Sequence, residues 1–286
     1  MNTEPKRTVA ALGLTVVLLL THSPAHARTR CTTPGAPPGA TVIANNAQLR
    51  AAMADGLVSD AVIAFDWRDD QANVDGTDVT FRRVTFRGAG DGHTIKATRG
   101  ARLTVDHAAF ESDPLEDHIQ LEGHGRTVVR CSRFGVKGHG SMYGNPSDPE
   151  NQIDIKAGGD VAILGNQFYA FPSQGECIIA NNGPKTVRIE DNDPCNGGGI
   201  YLRGNVTGTL ARNNVNGDTW LDEVNRMVIE GNDFRGYDVR YGAGSTPNGN
   251  WFRNNLIGSL SAWDYRNGTC YRNHNHVRLD PCTYRR

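Results

Sequence analysis

Between about residue 60 and residue 260 the chain is written in short pieces, four to six positions of apolar and polar residues in strict alternation, each closed by glycine or asparagine. Successive side chains of an extended strand point to opposite faces, so this period of two predicts half-buried strands. The pieces are too short and the alternation too regular for helices. They also resemble one another. "VTFRRVTF" ends at Phe86, "RLTVDHAAF" at Phe110, "TVVRCSRF" at Phe134, "VAILGNQF" at Phe168, "VRIEDNDP" at Pro194, "TLARNNV" at Val215, "MVIEGNDF" at Phe234 and "WFRNNL" at Leu256. These endpoints lie 19 to 26 residues apart, with one interval of 34. A unit of that size cannot bury its apolar face alone, whereas stacked copies can, which predicts a solenoid built of coils of a few short strands.

A second strand recurs between the first: "HIQLEG" from His118, "QIDIKAG" from Gln152, "ECIIANN" from Glu176, "GIYLRG" from Gly199, "DTWLDE" from Asp218 and "YDVRYG" from Tyr237. Two residues before the last five endpoints stand Asn166, Asn192, Asn213, Asn232 and Asn254. Asparagine tolerates left-handed turns and can pair its amide with the next coil, so these predict an asparagine ladder at one corner. Ahead of the coils, "NNAQLRAAMADG" offers an Asn cap, Leu49 and Met53 four residues apart, and Gly56 as a stop, which predicts one short helix covering the open end. At the far end "NGTCYRNHNHVRLDPC" reads as an irregular cap bracketed by cysteines.

Composition narrows the setting. "KR" at positions 6 and 7 precedes the apolar run "VAALGLTVVLLL" and then "THSPAHA", the pattern of a signal peptide over residues 1–27 with cleavage near Arg28. The expectation is a secreted protein with one domain over residues 28–286: a capping segment about 42–60, coils about 61–265 and the C-terminal cap 266–286. The formal charge of −1 carries no nucleic-acid footprint and no acidic coat. No membrane association is expected after cleavage, and a monomer is expected. All six cysteines lie beyond residue 27, an even number that predicts disulfides in an exported chain. Spacing favours Cys270 with Cys282 and Cys177 with Cys195, while sequence leaves the connectivity open.

Stacking in register turns outward residues into columns. His118, Gln120 and Glu122 are expected to lie below Gln152, Asp154 and Lys156. Ala180 or Asn181 follows, and then come Tyr201 with Arg203, Trp220 with Asp222, and Asp238 with Arg240. Acids, cations and aromatic rings together suit an acidic polysaccharide, whose carboxylates Arg can grip bidentately and whose apolar sugar faces pack on rings. Asp154 and Lys156 point the same way about 7 Å apart, twice the strand rise.

"IDIKAGGDVAILGNQF", with its Asn ladder and coil length, resembles the right-handed parallel β-helix of the pectate-lyase-like superfamily over roughly residues 60–265. The resemblance implies an all-β, right-handed, single-stranded parallel β-helix with a short N-terminal capping helix. "IDIK" followed by "YLRGN" is similar to the lysine and arginine strands of the alginate lyase and chondroitinase B family, although here the two residues are about two coils apart. It implies β-elimination on a uronic-acid polymer, with Lys156 as the base that takes the C5 proton. Arg203 would be the carboxylate clamp or the proton donor to the leaving oxygen. His118, Gln120, Tyr143, Tyr201, Trp220 and Arg240 would then contact the sugar.

A second lyase family of the same fold uses a strand lysine beside calcium-binding aspartates. Asp148 and Glu150, from the loop "HGSMYGNPSDPE" inserted before the Lys156 strand, are expected to join Asp154 as Ca²⁺ ligands. The ion would replace a negative neighbour of Lys156 by a positive one. Other readings stay open. Gly138, His139 and Gly140 resemble the G-H-G of polygalacturonases, which are hydrolases, but their further signatures are missing. A uronate epimerase shares the proton-abstraction step, and a non-catalytic carbohydrate-binding or adhesive β-helix needs no base. His274 with His276 is a weaker metal candidate, and "NVT" at 205 and "NGT" at 267 match glycosylation acceptors.

Overall fold

A computed structural model describes residues 31–135, 151–169, 176–181, 186–193, 195–196, 198–241, 250–262, 268–271 and 274–275, without the side chains of 195–196, 235–238, 241, 257–262, 268–271 and 274–275. The chain is a parallel β-solenoid of about 7 turns. Each turn visits three faces. One is a ten-stranded sheet running from Ala72–Asp75 through Ile95–Thr98, Ile119–His124, Ile153–Gly158, Ile178–Ala180, Ile200–Leu202 and Thr219–Leu221 to Asp233–Tyr241 and beyond. The second holds Arg102–Asp106, Thr127–Arg130, Val161–Leu164, Val187–Glu190, Val206–Ala211, Val224–Glu230 and Asn250–Arg253. The third is a row of two-residue strands, Ala109–Phe110, Arg133–Phe134, Gln167–Phe168, Cys195–Asn196 and Val215–Asn216, joined to the second face through the long strand Asp78–Arg87.

The alternation places the core as expected. Ile95, Ile119, Ile153, Ile178 and Ile200 align in register and are buried, as are Val129, Ile163, Ile189, Leu210 and Ile229 opposite them. Along the third face the rings of Phe86, Phe110, Phe134 and Phe168 stack with centroids 4.9, 4.5 and 4.8 Å apart. Such spacing matches the distance between hydrogen-bonded strands, so one aromatic per coil makes a continuous column.

The corner between the second and third faces is the predicted ladder. Asn166 Oδ1 accepts from the backbone N–H of Ser132. The Asn192, Asn213 and Asn232 oxygens each accept both the backbone and the side-chain N–H of the asparagine one coil below. Each amide nitrogen also donates to a backbone carbonyl, for Asn192 that of Ile163 at 3.0 Å. The last rung is Asn255, not Asn254, and Asn255 Oδ1 accepts from Asn232 N at 3.0 Å. The register explains the shift, because Phe234 pairs with Ile257 rather than with Leu256, which sets Asn255 beside Asn232. Asn254 instead takes the left-handed turn, with φ of 56°. Asn255→Ala is therefore expected to lower the unfolding free energy by about 1–3 kcal/mol through orphaned buried groups. Asn254→Gly should stay within about 0.5 kcal/mol. Urea denaturation of the two variants checks both, and equal losses would contradict the rung assignment.

Helix Asn46–Ala54 forms as read, with the Asn45 side chain accepting from Gln48 N at 3.0 Å and Gln48 Oε1 accepting from Ala44 N at 2.8 Å. Leu49 is buried against the first coil. The stack begins earlier than expected, with Leu57–Ala64 pairing to Asp78–Arg87, and it continues later. Gly268–Tyr271 and His274–Asn275, read as an irregular cap, pair in parallel with Asn250–Arg253 and Leu256–Ile257. Cys31 is bonded to Cys131 across a separation of 100 residues, which ties the segment before the helix to the ladder corner. Cys177 is also disulfide-bonded, to a cysteine outside the described side chains, where the Cys270–Cys282 and Cys177–Cys195 expectations also fall. Among the described residues no helix is long and apolar enough to cross a membrane.

Candidate functional site

The outward face of the ten-stranded sheet carries two columns. In the first, Lys96, Gln120, Asp154, Ile179, Tyr201, Trp220 and Arg240 follow one another in register. In the second, Asn181 N donates to Ile155 O, Arg203 N to Ala180 O and Asp222 N to Leu202 O, which lines up Lys156, Asn181, Arg203 and Asp222. Neighbouring strands lie about 4.8 Å apart, so Lys156 and Arg203 stand roughly 10 Å from each other at the backbone with Asn181 between them. The two-coil separation read from the sequence is what the register shows.

Lys156 is more than an outward residue of a regular strand. Leu121 pairs with Ile155 but Glu122 pairs with Ala157, so Lys156 is the extra residue of a β-bulge, not the partner of Glu122 that strict alternation predicts. Bulges re-aim a side chain and recur beside active sites. The Lys156 side chain is 44% exposed, and its Nζ lies 3.6 Å from Oδ2 of Asp154, whose side chain is 6% exposed. Two residues on in the same strand, Gly158 has φ of 139° and packs so tightly on the His124 ring that a Cβ there would collide with it.

The aromatic part assembles further along the axis. The rings of Tyr201 and Trp220 meet edge to face with centroids 5.4 Å apart, and the Arg240 guanidinium lies 4.4 Å over the Trp220 ring. Trp220 stays partly exposed, but one face of its ring is taken by Arg240, whose Nη2 also sits 3.7 Å from Asp218 Oδ2. Beside them Asn181, Tyr201, Arg203, Gly204 and Glu223 line an open depression of about 510 Å³. Glu223 was not legible as a lining residue, because its place depends on a left-handed backbone, φ 54°, just after the strand. Burial raises the Asp222 carboxyl above its usual range, an effect that the nearby Arg203 charge opposes.

Two expected sugar contacts are corrected. His118 is fully buried, with Nε2 3.1 Å from Ser112 O, Nδ1 against Gln152 Oε1, and its ring edge on Phe110 and Phe134. It sits at the corner before the strand, where alternation no longer governs direction, and so turns inward together with Gln152. Gln120 does share the outward column but is only 2% exposed, which keeps it from a polymer on the surface. Asp238 has no described side chain, and Tyr143, Asp148, Glu150, Gly138, His139 and Gly140 lie outside the described residues, as does His276.

Of the three expected calcium ligands, Asp154 is the one among the described residues. Ca²⁺ takes six to eight oxygens, whereas the described part offers Asp154 alone, with an ammonium already 3.6 Å away. Among the described residues no group of three or more His, Cys, Asp or Glu is arranged to hold a metal. Asp148 and Glu150, the other two expected ligands, lie outside the described residues, and no step below is routed through the ion.

A different histidine titrates with a consequence for stability. Burial holds His124 below its ordinary value of 6.5, outweighing its bond to Ala157 O at 2.9 Å and the charge of Asp160. A lowered histidine means that the unfolded chain binds more protons, so stability is whole above pH 6.5 and falls as pH drops towards the folded-state value. His124→Gln should flatten that fall in melting temperature between about pH 6.5 and 5, before carboxylates titrate. An unchanged slope would contradict the assignment.

Compared with known proteins, the chain matches no family model, no curated protein and no solved structure.

Proposed function

We propose that this solenoid is an exported, pectate-lyase-like β-helix that cleaves an acidic polysaccharide by β-elimination on the outward face of the ten-stranded sheet. The observation that carries the reading is the single column Lys156, Asn181 and Arg203, with the lysine pushed out by a bulge and an aromatic pair one column away. A uronate seated over Asn181 has its carboxylate within reach of the Arg203 guanidinium, which can pair with it bidentately and stabilise the charge that builds when C5 loses its proton. Lys156 Nζ takes that proton from the other side. The C5 electron pair forms the C4–C5 double bond as the bond from C4 to the glycosidic oxygen breaks, and that oxygen takes its proton from water. Tyr201 and Trp220 give the neighbouring sugar apolar surface.

Incubating the protein with polygalacturonate, alginate and glycosaminoglycan chains tests this, because only elimination creates a conjugated double bond that absorbs in the ultraviolet. New reducing ends without that chromophore would mean hydrolysis and would sink the proposal. A second reading has its own observation. Lys156 lies 3.6 Å from the buried Asp154 carboxylate, an arrangement that also serves an ion pair with no part in catalysis. Saturable polymer binding with neither product would establish that reading, a non-catalytic carbohydrate-binding β-helix.

A further inference from the structure

The outer surface of the second face, away from the groove above, holds an open depression of about 420 Å³ lined by Arg102, Thr104, Arg126 and Val128. Leu103 pairs with Thr127 and Leu103 N donates to Arg126 O, so Arg102 and Arg126 are neighbours in one column, about 4.8 Å apart at the backbone. Thr104 and Val128 are likewise direct partners and form the floor. Two like charges opposite each other across a ladder are unfavourable unless something negative lies between them. The chain itself supplies little. Arg102 Nη1 is 3.8 Å from Asp78 Oδ2, with both side chains more than 70% exposed, a contact of small worth. Asp160 occupies the next position beyond Arg126, yet among the described residues the Arg126 side chain forms no ion pair or hydrogen bond.

We propose that this depression is a second carbohydrate site, which takes the carboxylate or sulfate of an acidic saccharide between Arg102 and Arg126. The two planar guanidinium groups can each present a pair of N–H donors to one anion. The Thr104 hydroxyl is placed to meet a sugar hydroxyl, and Val128 offers an apolar spot to the C–H face of the ring. A single-stranded nucleic acid would need rings for its bases to stack on, and among the described residues no aromatic side chain lines the depression. The site does not rest on the elimination chemistry and is built on a different face of the coil.

The test uses a Lys156→Ala, Arg203→Ala double variant, which weakens the first groove, and titrates oligomers of polygalacturonate, alginate and chondroitin sulfate by calorimetry. At least one oligomer is expected to bind, and adding Arg126→Ala should weaken that binding about tenfold or more. Arg126→Lys should recover part of it. Arg126 is exposed and, among the described residues, its side chain forms no hydrogen bond or ion pair, so the melting temperature should not move, which separates lost binding from lost fold. The uronate oligomers distinguish carboxylate recognition from sulfate recognition. The proposal is overturned if no oligomer binds, if Arg126→Ala changes nothing, or if neutral methyl-esterified polygalacturonate binds as well as the acid. It is equally overturned if inorganic sulfate competes as strongly as the best oligomer on a molar basis, or if single-stranded DNA binds more tightly than every saccharide.

Discussion

Lys156→Ala is expected to lower turnover by about 10²–10⁴-fold while leaving polymer affinity nearly unchanged, the range for losing a positioned general base. The small effect on affinity follows from the geometry. Lys156 stands on a bulge at one end of its column, whereas the groups proposed to grip the polymer, Arg203, Asn181 and the Tyr201–Trp220 pair, lie on the coils that follow. Arg203→Ala should act differently, raising KM as well as lowering kcat, because a carboxylate clamp holds the ground state and holds the developing charge more strongly. Arg203→Lys should restore little, since one ammonium cannot replace a bidentate fork. Initial rates of double-bond formation for the three variants check this pattern. Full activity in Lys156→Ala would remove the lysine from the chemistry.

The largest effect on stability is expected at Phe134, where truncation to alanine should cost about 3–5 kcal/mol. Its ring lies between Phe110 and Phe168 at 4.5 and 4.8 Å and takes the edge of buried His118 at 6.0 Å, so its removal opens a gap in the middle of a continuous column. A solenoid is held by nearest-neighbour contacts between coils, and a gap there weakens the interface on both sides. Urea unfolding should show an earlier midpoint. Two separate transitions would mean that the stack has been split at this coil. A loss below about 1 kcal/mol would show that the ring column adds little to its coils.

The faces of this solenoid were legible because alternation is a local property of an extended chain. Ile119, Ile153, Ile178 and Ile200 had to point inward together, and they do. What was not legible is set by contacts between coils. His118 is one residue outside its strand, where the chain turns and the side chain goes inward to Ser112 and Gln152. The Lys156 bulge exists only relative to Leu121 and Glu122 on the strand below, and nothing in "IDIKAG" announces it. The last ladder rung was misplaced by one because Leu256 and Ile257 are both apolar, and only pairing with Phe234 selects the second. The Cys31–Cys131 bridge defeats spacing arguments for the same reason, since stacking brings together residues 100 apart in sequence. For the site, the residue types were readable in the columns, whereas accessibility was not. Gln120 shares a column with Tyr201 and Trp220 and yet is buried.

The central claim, that the outward face of the ten-stranded sheet is where an acidic polysaccharide reacts, is tested most directly by a crystal structure of Lys156→Ala bound to a uronate oligomer that the native protein cleaves. The account predicts one sugar ring over Asn181, its carboxylate paired with the Arg203 guanidinium. Its C5 should face the space vacated by the lysine, with the next ring against Tyr201 and Trp220. An oligomer bound only at Arg102 and Arg126, or one crossing the sheet with no carboxylate at Arg203, would contradict it.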